Sequence, residues 1–222
     1  MWWSLGYLCT NHLYRTIYHF GEFNMDVSSF TMLQACKLSA LAYCYLDGEK
    51  QESEMNESQK QKYVKDMPSV LELAGYTWFV PNSALGVFFE FRDYKNLIEK
   101  KEHYANIPDT VLPSLQTLGE AILCTGVFMA FSPIISVEYI YSPEFGKELF
   151  VYKVFHIYFA MMFKRFFYYG PFKFTTGAFI ASGLGYNGKQ KEQHNWERVV
   201  GVYVIDIETA NSVPVMLKSW NH

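Results

Sequence analysis

The chain has 222 residues, half of them apolar and 18% aromatic, including 19 Phe and 17 Tyr. Charged residues make up 18%, below the usual quarter or so of a soluble domain, and a net charge of −3 leaves no basic footprint for nucleic acid. The four cysteines (Cys9, Cys36, Cys44, Cys124) are scattered, without a C-x-x-C pair or metal-ligand spacing. That argues against a disulfide framework or a zinc site and reads as buried thiols.

Along the chain, charge is distributed in blocks. The opening "MWWSLGYLCTNHLY" lacks a basic n-region and an A-x-A cleavage site, so it reads as an apolar span over about 1–20 and not as a cleaved leader. His12 and His19 can share a helical face there. Val27 to Leu46 carries only Lys37 and predicts a second span, 27–46, closed by Asp47-Gly48 as a glycine cap. A polar loop follows, and its "NES" at Asn56 to Ser58 matches a glycosylation sequon by chance. Pro68 is expected to open a short helix. The run 73–89, "LAGYTWFVPNSALGVFF", has no charge, but Pro81-Asn82-Ser83 sits at its middle. Turn chemistry at that depth favours a re-entrant hairpin over a spanning helix. Basic residues agree: Lys50, Lys60, Lys62 and Lys65 precede the run, Arg92, Lys95, Lys100 and Lys101 follow it, and 138–148 holds only Lys147. By the positive-inside tendency both flanking loops are cytosolic and 138–148 lies across the membrane.

Thr110 to Val137 carries only Glu120, predicting a span over 110–137. Another span is predicted over 149–186, broken near Gly170-Pro171. His156 lies inside it, either as a functional group or as a packed residue with one backbone partner. The expected fold class is therefore all-α, a multi-spanning membrane domain covering 1–222. The mean hydropathy of −0.04 fits spans that enclose a polar interior. A soluble, aromatic-rich lipid-binding domain is the rival reading.

"GLGYNG", Gly183 to Gly188, matches the dinucleotide fingerprint G-x-G-x-x-G, with Asp206 as the ribose acid. The intervening "KQKEQHNWER" offers only Trp196 as an apolar face, so it cannot pack as the required helix. A turn at a membrane edge is expected instead.

Taken together, "KLSALAYCYLDGEK", "ESQKQKYVKDMPSVLELAGYTWF", "SGLGYNG" and "LKSWN" resemble the membrane-bound O-acyltransferase (MBOAT) superfamily. They are most similar to its lysophospholipid acyltransferase 5, or lysophosphatidylcholine acyltransferase, branch. The resemblance covers essentially the whole chain. It implies a multi-pass enzyme of the endoplasmic reticulum membrane that moves an acyl chain from acyl-CoA, as co-substrate, to the free hydroxyl of a lysophospholipid. No metal and no tightly bound cofactor is implied. Asn221 matches the active-site asparagine, whose role is to orient the hydroxyl or stabilise charge on the thioester carbonyl. The family's histidine, the general base, lies in a tryptophan-histidine-glycine sequence that these 222 residues lack; His222 is not its equivalent. The chain thus resembles a partial sequence, expected to be inactive alone, or a truncated non-catalytic membrane isoform. Thr176 stands where that branch often carries a carboxylate.

Overall fold

The structure, a computed structural model, describes residues 2–21, 27–82 and 87–220. The chain divides into two compact units, one of Met1–Ile107 with Tyr186–His194, the other of Pro108–Gly185 with Asn195–His222.

In the first unit, α1 (Trp2–Tyr18) pairs with α2 (Val27–Gly48). None of the α1 residues is buried, and Trp2, Trp3, Tyr7, Leu13 and Ile17 point outward, a surface suited to lipid. Two short helices follow, α3 (Glu57–Lys62) and α4 (Val70–Thr77), each opened by a capping box: Asn56 with Gln59, and Ser69 with Glu72. In such a box each side chain takes up the other's unpaired backbone N–H. The side chain of Asn56, the sequon residue, is thereby engaged with the Gln59 N–H, accepting at 2.8 Å. Pro68 precedes the Ser69 cap and so sits just outside α4, not in its first turn as the sequence predicts. Helix α5 (Phe91–Glu99) ends at Lys100 in the left-handed region.

This unit's core is aromatic. Tyr76 is fully buried and meets Phe89 and Phe91 edge-on, each at 5.3 Å; its hydroxyl donates to the Phe89 carbonyl at 2.9 Å. Each such ring pair adds about 0.5–1.5 kcal/mol to the burial of its area. Helix α2 secures α4 at its end. Gln34 Nε2 donates to the Thr77 carbonyl at 2.7 Å and Lys37 Nζ to the Tyr76 carbonyl at 2.6 Å, filling places a helix leaves empty at its C-terminus. Helix α4 then gives way to a 3₁₀ turn, Val80–Asn82, so the chain breaks where Pro81 and Asn82 predict. The polar segments on either side of 73–89 bind each other: Lys62 pairs with Glu90 at 2.8 Å, and Arg92 donates to the Lys60 carbonyl at 2.7 Å.

Gly48 is not the left-handed cap expected; positive φ at glycine occurs, among the described residues, at Gly21, Gly183 and Gly188. Glycine is required at 48 because a Cβ there would collide with the Val64 carbonyl, held close by the Val64 N–H bond to the Cys44 carbonyl at 3.0 Å. Strands β1 (Lys189–Gln190) and β2 (Gln193–His194) form a minimal hairpin, the one departure from all-α structure among named elements. Gly188 enters this hairpin and opens no helix directly, whereas a dinucleotide fingerprint needs its glycines at a helix N-terminus.

The second unit is built on α6 (Val111–Phe131) and α7 (Phe150–Ala181), packed antiparallel. Gly170 lies against Thr125 and Ala121, and Gly177 against Ser114, Thr117 and Leu118. Small residues let two backbones approach closely, the usual intramembrane solution. Beyond this seam Phe131 stacks on Phe163 at 5.0 Å, and Lys173 pairs with Glu120 at 2.7 Å. Helix α7 runs unbroken for 32 residues with Pro171 inside, contrary to the expected break at Gly170-Pro171. A proline removes one rung of the helix, and α6 packed at that level supports the chain through it. Among the described residues, α6 is the one helix both long and apolar enough to cross a bilayer by itself. Cysteine burial also differs from expectation: Cys124 is buried, Cys44 half-buried, and Cys9 and Cys36 exposed, because the latter two lie on outward faces of α1 and α2.

Candidate functional site

The motif residue Asn221 and its neighbour His222 lie outside the described residues. Helix α8 (Val204–Glu208) and helix α9 (Val213–Ser219) form a short pair beside α7, α9 opened by Pro214 in its first turn. The chain leaving α9 is tied back, as the Tyr203 N–H donates to the Ser219 carbonyl at 3.1 Å and Val202 bridges Trp220. The Trp220 ring sits against Tyr168, Tyr169 and Phe172 of α7, with centroids 6.0, 5.9 and 6.0 Å away. Trp220 and Phe172 pack against an apolar cluster of Cys124, Tyr169, Val202 and Ile207.

A polar network underlies the aromatic contacts. Glu208, the last residue of α8, receives both arms of Arg165: Nε to Oε1 at 2.9 Å and Nη2 to Oε2 at 2.6 Å. The Tyr169 hydroxyl adds a third bond to Oε1 at 2.7 Å. Burial pushes the Glu208 carboxyl up, but the bonds from Arg165 and Tyr169 outweigh it and hold the group below the usual carboxylate range. Nearby, Thr176 accepts from the Gly201 N–H at 3.1 Å and donates to the Phe172 carbonyl at 2.9 Å. The residue that departs from the resembled branch is thus a buried strut between α7 and the chain leading to α8.

His156 occupies a packed position: Nε2 lies 3.0 Å from the Ser136 carbonyl, and the ring sits among Tyr139, Phe145 and Tyr152. That is the structural alternative the sequence offers for it. His12 falls on exposed α1, and His19 just beyond its end. Among the described residues no three His, Cys, Asp or Glu side chains converge as metal ligands. Elsewhere, an apolar groove of 330 Å³ lies between α2 and α4, lined by Gln34, Leu38, Leu73, Thr77 and Trp78 among others. Sequence reasoning did not single out Arg165, Tyr169 or Glu208. The available signal was a guanidinium near the middle of a span, a group that rarely enters a bilayer without a partner.

With this geometry in place, the chain belongs to the membrane-bound O-acyltransferase family, whose model matches residues 7–222. Among curated proteins it is similar to a lysophospholipid acyltransferase of Schizosaccharomyces pombe, 28% identical over 98% of this chain and 44% of the relative. It is also similar to lysophospholipid acyltransferase 5 of Homo sapiens, 23% identical over 98% of this chain and 45% of the relative. With lysophospholipid acyltransferase 5 of Drosophila melanogaster the identity is 31% over 79% of this chain and 35% of the relative. The chain therefore spans less than half the length of these relatives.

Proposed function

We propose that the protein to which this chain contributes transfers an acyl chain from acyl-CoA to the free hydroxyl of a lysophospholipid such as lysophosphatidylcholine. The observation that carries this is the similarity, along 98% of the chain, to proteins named lysophospholipid acyltransferases. Asn221 is the group assigned to the chemistry. Its amide would orient the attacking hydroxyl or donate to the oxyanion that develops on the thioester carbonyl, a place where one fixed donor is worth roughly 3–4 kcal/mol. The base that takes the hydroxyl proton is a histidine supplied by another part of the protein, as the resemblance implies.

The setting is a multi-pass arrangement in the endoplasmic reticulum membrane, with spans at about 1–20, 27–46, 110–137 and 149–186. Outward-facing Leu112, Leu115, Ile122 and Leu123 on α6 support it. A re-entrant 73–89 is supported by the pairing of Lys62 with Glu90 and of Arg92 with the Lys60 carbonyl, since a segment whose two flanks bind each other returns to the side it left. The test is acyl transfer per folded molecule in the full-length enzyme. Asn221→Ala should lower kcat by about 10² to 10³ with yield and melting unchanged. Near-normal specific activity would refute the role of Asn221.

A further inference from the structure

We propose that Arg165, Tyr169 and Glu208 form a positioning device that sets the place of Trp220 and, through it, of Asn221. This rests on the assignment of Asn221 given above and deepens it. Arg165, Tyr169 and Phe172 stand four and three residues apart on α7 and so share one face of the helix. Two of them bind Glu208 of α8; two of them, Tyr169 and Phe172, carry the Trp220 ring. Tyr169 belongs to both sets. Its ring is fully buried, its hydroxyl is fixed on Glu208 Oε1 at 2.7 Å, and its side lies 5.9 Å from the Trp220 centroid. Glu208 is itself fixed by a two-point guanidinium bond, the geometry that most restricts a carboxylate.

Simple packing does not explain this choice of residues. Well-packed apolar side chains hold helices together as well as a partly buried ion pair does, and often better. What the charged trio adds is direction: three bonds converge on one carboxylate and leave the Tyr169 ring no freedom along its own axis. Trp220 is then confined by rings on the α7 side and by the Val202 bridge on the other. The next peptide bond leads to Asn221. An amide that must meet a reacting oxygen is sensitive to small displacement, and an error of about 1 Å costs on the order of 10² in rate.

The experiment uses the full-length enzyme, with kcat, KM for acyl-CoA and for lysophosphatidylcholine, and melting temperature measured on the same preparations. Tyr169→Phe removes only the hydroxyl, and Arg165→Lys keeps the charge but loses the two-point fork. Each should lower kcat per folded molecule about tenfold with both KM values within twofold, the effect of a slightly misplaced reacting group, beside the modest drop in melting that a lost charge-assisted bond brings. Combined with Asn221→Ala, Tyr169→Phe should add little further loss, since a positioning residue acts only through the group it positions. Unchanged kcat in Tyr169→Phe, or lower melting with kcat per folded molecule preserved, would overturn the positioning role while leaving Asn221 intact. Additive losses would do the same. A near-active Asn221→Ala enzyme would instead remove the underlying assignment, and the device with it.

Discussion

Replacing Lys37 with methionine is the sharpest test of how the first unit is held. The stem keeps its length, so no cavity opens, and only the ammonium is lost. That ammonium has no exposure. It donates to the Tyr76 carbonyl at 2.6 Å and lies 4.4 Å from the Tyr76 ring centroid and 4.0 Å from that of Phe89. With the Asn82 amide turned so that its nitrogen donates to the Val87 carbonyl, its oxygen accepts from Lys37 at 3.1 Å. In Lys37→Met two buried acceptors lose their donor, at about 1–3 kcal/mol each, and the ring contacts lose roughly 1–2 kcal/mol. Against this, the variant no longer has to strip water from a charge, worth several kcal/mol. The Tyr76 carbonyl lies in the last turn of α4, where the helix leaves carbonyls without an intrahelical donor, so we expect a net loss of about 2 kcal/mol. For a domain of this size that is about 4–8 °C of melting temperature, and about half of it in an enzyme twice as long. Thermal melting of the full-length protein in detergent measures it. A Lys37→Met protein that melts within 1 °C of the parent, or above it, would show that the ammonium does not secure the end of α4.

Gly177→Leu should force α6 and α7 apart, because the added side chain meets the Ser114 carbonyl and Leu118 backbone; the expected loss is about 1–3 kcal/mol, read as lower folded yield, with Gly119→Leu, where nothing lies within 4 Å, as the tolerated control. Because the Glu208 carboxyl is held below its ordinary value, its contribution is complete above the unfolded value of about 4.3 and fades as pH falls through the depressed one. Glu208→Gln should therefore lower melting at pH 7 and flatten its acid-side decline; an unchanged slope would refute the linkage. Cysteines placed at 60 and 100 should both react with a reagent confined to the cytosolic side, and labelling of one alone would show that 73–89 crosses the membrane.

The sequence carried the helices better than their connections. Charge-poor runs marked α1, α2, α6 and α7, and Pro81-Asn82 marked the break after α4, because both signals are local. Gly48 and Pro171 were misread for the opposite reason. A glycine after an apolar helix end has the same local pattern whether it needs positive φ or, as here, room for the Val64 carbonyl. A proline breaks a helix or is carried through it according to what packs beside it. The Arg165–Glu208 pair joins residues 43 apart, and no periodicity announces such a partner. His156 was legible as a choice between two roles, and the Ser136 carbonyl decides it.

Helix α7 has a consequence for how the protein is made. Its 32 residues reach about 48 Å, well beyond the roughly 30 Å of a hydrocarbon core, and its middle holds Lys164 and Arg165. In the multi-pass arrangement proposed above, each such charge at mid-membrane would oppose insertion by about 2.5–3.5 kcal/mol, so α7 would not enter lipid on its own merits. During synthesis α6 emerges first and is apolar enough to settle alone. It then offers α7 a seam of small side chains and the Glu120 carboxylate for Lys173. Arg165 has to wait for Glu208, which leaves the ribosome 43 residues later. Through that interval, in the same arrangement, α7 would lean on α6 with the Arg165 charge still unanswered.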